Sequence, residues 1–172
     1  TYPYSSSIYA EQFYQQIGFV SERRRIYALR NTLNSYLHYS QHYAYSSSLG
    51  NKGEQALNLI SIPSIFYGSS INKGSLELSY YVSGTLIAKL QDINKNGELI
   101  QTTGALGLGN VAGVILYNEG FIVLTGSWNL HPTFQDVLFY YPEYALPLTQ
   151  SAKWTNWGAG LNESPNYTTA SS

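Results

Sequence analysis

Between residues 57 and 141 the chain breaks into short β-type runs separated by turn signals, and this pattern narrows the fold more than any other feature. The runs are residues 57–62, ended by Pro63, then 75–82, 85–91, 99–102, 111–117, 121–125 and 133–141, the last ended by Pro142. Successive side chains of a strand point to opposite faces. Leu76, Leu78 and Tyr80 therefore share one face of their run, and Leu86, Ala88 and Leu90 share one face of theirs. Residues 111–117 and 121–125 are apolar almost throughout, which places them centrally. Asn118, Glu119 and Gly120 join them as a three-residue hairpin loop with glycine at the left-handed position. Regular short strands of this kind predict a mainly β fold, an antiparallel β-sandwich or barrel-like domain over residues 56–149.

An N-terminal helix and extended arms flank this domain. Residues 1–20 are polar and aromatic without periodicity and read as an arm. Residues 21–38 read as a helix capped by Ser21, with Glu22 in its first turn and Ile26, Leu29, Leu33 and Leu37 on one apolar face. Arg23, Arg24, Arg25 and Arg30 decorate the rest as a solvated face. Residues 39–55 carry serine and glycine clusters and read as a loop. Three parts result: 1–55 as arm, helix and loop, 56–149 as the β-domain, and 150–172 as an extended C-terminal segment.

Charge narrows the function. Only 11% of the residues are charged, against about 25% in an ordinary soluble domain. A surface short of charge stays dispersed poorly unless neighbours cover it. The net charge is −1, with no basic stripe for nucleic acid. No apolar run approaches the length of a membrane-spanning helix. There is no cysteine, hence no thiolate ligand, no thiol nucleophile and no disulfide framework. There is no methionine and Thr1 stands first, so the chain is expected to be a piece of a longer protein. Tyrosine occurs 17 times, and its stiff amphipathic ring suits protein interfaces. The expected interface anchors are Tyr2, Tyr4, Tyr9, Phe13 and Tyr14 in the first arm, with Trp154 and Trp157 in the last segment.

Chemistry-bearing motifs are sparse. Asp92, Asn94, Asn96 and Glu98 follow the first half of a calcium loop, with Gly97 at the sharp turn and the Glu98 main-chain oxygen completing the near side. The twelfth position is Thr103 rather than a bidentate glutamate, so a polar β-turn closed by Asp and Asn side chains is the expected state, with calcium as its rival. His38 and His42 would share a helix face, but the third ligand of a zinc site is missing. Residues 104–109, G-A-L-G-L-G, lack the lysine and following helix of a phosphate loop. No nucleophile elbow or carboxylate pair stands out, so no enzyme is expected. Trp128, Trp154 and Trp157 offer a sugar-stacking platform, which makes a receptor- or glycan-binding β-module the rival reading.

Three stretches carry a resemblance: 62–76 (IPSIFYGSSINKGSL), 92–99 (DINKNGEL) and 111–120 (VAGVILYNEG). Their order resembles a β-rich unit of virion structural proteins from marine contractile-tailed phages of the cyanophage type, over about residues 26–128. The resemblance implies a particle component of tail, baseplate or neck, with a capsid-associated decoration protein as a further alternative. It implies partners among other virion proteins and copies of the chain itself, location in the virion, and a parent chain longer than this one. It carries over no catalytic residue.

Overall fold

A computed structural model describes residues 9–13, 24–82, 84–132, 137–141, 146–150, 152–157, 160–161 and 170–171. Six strands form the centre. They are β4 (Leu57–Ser61), β5 (Glu77–Val82), β6 (Thr85–Gln91), β7 (Glu98–Gly104), β8 (Val111–Leu116) and β9 (Phe121–Leu124), counted after β1 (Tyr9–Phe13), β2 (Ser46–Ser47) and β3 (Gly50–Asn51). The strands pair antiparallel in the order β4-β9-β8-β7-β6-β5. The result is mainly β, a curled antiparallel sheet in the shape of a half-barrel.

The curl has a local cause. The register shifts between Tyr80 and Tyr81, between Lys89 and Leu90, and between Leu99 and Ile100. An extra residue in one partner bends the strand and raises its twist, so three adjacent pairings with bulges roll the sheet.

Backbone from the two ends of the chain flanks this sheet. β1 pairs with β4, and Ala170–Ser171 pairs with β5 as the outermost strand on the other side. β10 (Val137–Tyr141), β11 (Leu146–Gln150) and β12 (Gly160–Leu161) form a separate three-stranded sheet, and β2 pairs with β3. Ala170–Ser171 is β13.

The central strands are buried on both faces. In β4 the four consecutive residues Leu57, Asn58, Leu59 and Ile60 are buried, and in β8 residues 112–116 all are. The registers assign the faces. Asn58, Leu124, Gly113 and Leu99 stand in one cross-strand row, and Leu99 shares its face with Gln101 on β7. Gln101 and Asn58 meet the tryptophans of residues 154–157. The opposite row contains Leu59, Val123, Val114 and Glu98. There Glu98 accepts a hydrogen bond from Ser40, so the segment following the helices lies on that side.

The expected helix over residues 21–38 is shorter and divided. α1 runs Arg24–Ala28 and α2 runs Arg30–Ser35; Ser21 and Glu22 lie outside the described residues. The helix stops where Ser35 Oγ turns back to donate to the Thr32 carbonyl at 2.6 Å and the His38 ring meets the Ser35 carbonyl at 3.0 Å. Such local side-chain bonds compete with the helical ladder. The apolar face is as expected: Ile26 and Leu33 are fully buried, and Leu29 and Leu37 are partly buried against the hydrophobic core.

One hydrophobic cluster joins Ile26, Leu33, Tyr36 and Tyr43 to the strands and to Ala152, Trp154 and Trp157. The packing therefore runs across the expected boundaries at residues 55 and 149, and β11 runs through the second of them.

Ile115 is fully buried at the sheet centre. Ile115→Ala should lower unfolding free energy by about 2–5 kcal/mol, the range for deleting a buried aliphatic side chain. Leu108→Ala, at an exposed loop tip, should stay within about 0.5 kcal/mol of the parent. Urea unfolding of both variants checks the contrast.

Candidate functional site

Two polar braces tie the covers to the sheet. The first is centred on Asp92, just after β6. Its carboxylate is buried and accepts hydrogen bonds from the Gly97 N–H at 3.1 Å, the Gly74 N–H at 2.9 Å and the Tyr117 hydroxyl. Tyr43 donates its hydroxyl to the Ile115 carbonyl and stacks on Tyr36, with ring centroids 5.1 Å apart. Tyr36 donates to Glu119 at 2.7 Å and accepts from the Asn118 N–H. Gly97 has φ +87, and a Cβ there would collide with the Tyr43 hydroxyl. That glycine is thus required by both its backbone and its neighbour.

These environments move the tyrosine pKa values upward. Burial, with Glu119 beside it, pushes Tyr36 up to about 12. Burial raises Tyr43, with Tyr36 and Asp92 adding to it. Burial raises Tyr117 as well, with its hydrogen bond to Asp92 as the next cause.

The second brace is centred on Gln101 in β7. Its side-chain oxygen accepts from the Trp128 indole at 2.8 Å and the Trp154 indole at 3.2 Å, while its nitrogen donates to the Leu106 carbonyl at 2.6 Å. Beside it Tyr80 donates to Asn156 at 2.6 Å, Asn58 donates to the Trp157 carbonyl, and the Trp157 indole donates to the Ser79 carbonyl at 2.9 Å. Sequence reasoning did not single out Gln101, Asn58 or Asn156. For Asn58 and Gln101 a polar residue inside a strand run was the available signal, whereas Asn156 lies in the turn of residues 154–156 and carries none.

Asp92, Asn94, Asn96 and Glu98 do come together in one turn. Lys95 takes a left-handed φ of 56 to close it. The Asn96 side-chain oxygen accepts the Glu98 N–H at 3.2 Å, Glu98 accepts from Ser40, and Asn94 is exposed. A cation would have to displace three donors from the Asp92 carboxylate and face the N–H groups that now point there. The geometry is that of an aspartate-closed turn. Among the described residues no group of three His, Cys, Asp or Glu side chains is placed to hold a metal ion.

The aromatic anchors divide. Trp154 and Trp157, expected at an interface, are 0% and 1% exposed and belong to this chain's own core. The correction has a plain cause: the sheet face carrying Gln101 and Asn58 needs an apolar cover that can also donate and accept hydrogen bonds, and indole does so. The same burial, with the Trp128 indole bound to Gln101, removes the sugar-stacking platform. Tyr9 and Phe13 lie in β1, while Tyr2, Tyr4 and Tyr14 lie outside the described residues.

Seven large apolar side chains among the described residues are exposed; Tyr27, Leu49, Ile65 and Ile93 are scattered, and three leucines remain. Leu86, Leu106 and Leu108 are 37%, 40% and 58% exposed. The antiparallel registers put the start of β6 and the loop after β7 at the same end of the sheet. No helix among the described residues is long and apolar enough to cross a membrane. Comparison with protein-family models, curated proteins and solved structures finds no match.

Lys52 is buried and donates to the His42 carbonyl at 2.9 Å and the Ala44 carbonyl at 2.7 Å. Burial lowers its pKa from 10.5 to about 8. Between those values the unfolded chain holds the proton that the folded chain has released, so this lysine makes stability rise with pH. The three tyrosines act oppositely. Their folded pKa values are raised, so the stability they lend is complete below pH 10 and is lost above it. Unfolding free energy should therefore climb by about 1–3 kcal/mol from pH 8 to 10 and fall beyond. Lys52→Met should flatten the rise and leave the fall, as read by urea midpoints across pH 7.5–11.5. Millimolar calcium should leave the parent's melting temperature unchanged within about 1 °C, since no binding means no mass-action shift. A calcium-dependent rise abolished by Asp92→Ala would restore the metal reading.

Proposed function

We propose that this chain is a non-enzymatic structural component of a tailed-phage virion, in the tail, baseplate or neck, acting through contacts with other virion proteins and with copies of itself. The observation that carries the assembly part is the set of exposed leucines, Leu86, Leu106 and Leu108, at one end of the sheet in a chain with 11% charge. Exposed apolar surface with little charge around it favours association. The buried polar side chains support the same reading, because Asp92, Gln101 and Asn58 are engaged in hydrogen bonds that hold the fold together. The virion assignment rests on the resemblance of residues 62–76, 92–99 and 111–120.

Sedimentation velocity over a hundredfold concentration range tests the association. The parent should self-associate, and Leu106→Asp with Leu108→Asp should weaken it at least tenfold without lowering the melting temperature by more than a few degrees. A parent that stays monomeric throughout, and that is also missing from purified particles, would overturn the proposal.

A further inference from the structure

Asn96 and Gly97 form the one Asn-Gly pair in the chain. At such a pair the glycine nitrogen, shielded by no side chain, can attack the side-chain carbonyl of the asparagine. We infer that Asn96 is a latent self-modification site, a deamidation held off by the Asp92 brace and released when that brace opens. Both reacting groups are engaged in the closed turn. The Gly97 N–H donates to the Asp92 carboxylate at 3.1 Å, and Gly97 is buried, so solvent base is kept from its proton. The Asn96 side-chain oxygen accepts the Glu98 N–H at 3.2 Å, which holds the amide toward residue 98. Gly97 has φ +87 and sits where a Cβ would collide with the Tyr43 hydroxyl, so its peptide cannot swing without moving that ring.

Opening the turn frees both groups at once. Turns at the surface open locally without global unfolding, and Ile93, Asn94 and Lys95 of this one are exposed. Solvent base then removes the Gly97 proton, the nitrogen bonds to the Asn96 side-chain carbon, and the bond from that carbon to its amide nitrogen breaks. Ammonia leaves with a proton returned by solvent, and a five-membered imide remains. Water adds to either imide carbonyl and opens the ring, leaving aspartate or isoaspartate at residue 96. Both products resist reclosure. The new carboxylate stands in one turn with Asp92 and Glu98, and like charges so close oppose one another. Isoaspartate also adds a carbon to the main chain, which displaces Gly97 from its fit against Tyr43. A reversible opening thus becomes a one-way change beside the place where Ser40 and Tyr43 are tied to the sheet.

Peptide mass mapping of the full chain tests this. The parent is aged in mildly alkaline buffer, folded in one arm and unfolded by guanidinium chloride in the other, and the exchange of amide for acid at residue 96 is followed in time. The folded chain should react at least about tenfold more slowly than the unfolded one. Asp92→Ala removes the acceptor of the Gly97 N–H and, held folded well below its melting temperature, should react at least about fivefold faster than the folded parent. Tyr117→Phe removes one of the three donors to the carboxylate; it should react at a rate between the two, and it carries the same test if Asp92→Ala does not fold. Asn96→Asp should melt several degrees below the parent. Equal rates in the folded and unfolded parent overturn the gate. So does a folded parent that reacts faster because Asp92 itself takes the proton, or a folded variant no faster than the parent. An Asn96→Asp chain as stable as the parent overturns the one-way step.

Discussion

A sheet whose central strands are buried on both faces cannot stand alone. In β4 and β8 no face is left for solvent, so each side needs an apolar cover of its own. One cover is the turn bearing Trp154 and Trp157, and the other is the helical segment with Tyr36 and Tyr43. Both come from outside the run of strands, one before it and one after it. Much of the chain outside the sheet is thereby assigned a role: residues 26–43 and 152–157 are parts of the core rather than appendages.

Apolar covers alone would fit in many positions, and the polar braces choose one. A buried donor or acceptor left without a partner costs about 1–3 kcal/mol, so each brace penalises a displaced cover. Gln101 illustrates the arrangement. Its amide holds Trp128, Trp154 and the Leu106 carbonyl, which fixes a loop, a turn and a strand relative to one another. Asp92 does the same at the other cover, joining the residues around Gly74, Gly97 and Tyr117. A carboxylate used in this way is a structural group, although its spacing imitates a metal loop.

The strands were legible because their signal is local. Period-two alternation and turn residues mark Thr85–Gln91 on their own, and the structure places a strand over those residues. The Asn118-Glu119-Gly120 turn was legible for the same reason. Gly120 has φ +76, though four residues rather than three separate the last pair, Leu116 and Phe121. The destinations of the tryptophans were not legible, since burial of Trp154 depends on Gln101, 53 residues away. A tryptophan in a serine- and threonine-rich segment gives the same local signal whether it covers its own sheet or a neighbour's. The curl was hidden too, because each bulge arises from the pairing of two strands and is written in neither one alone.

The shortage of charge makes the placement of the few charges on the sheet informative. A domain that completes itself places charges on its outer strands and leaves them in water. Here Asp92, Gln101 and Asn58 are bonded inside, both faces are covered, and a strand from each end of the chain flanks the sheet. β4 itself is neutral, but β1 beyond it carries Glu11, and on the other side Glu77 of β5 is ion-paired with Lys89 of β6. These charges thus stand on or beside the outer strands of the sheet, where unpaired backbone most needs them. The fold is fixed by packing and hydrogen bonds inside the chain, and the low charge of the sequence is what the proposed assembly role accounts for.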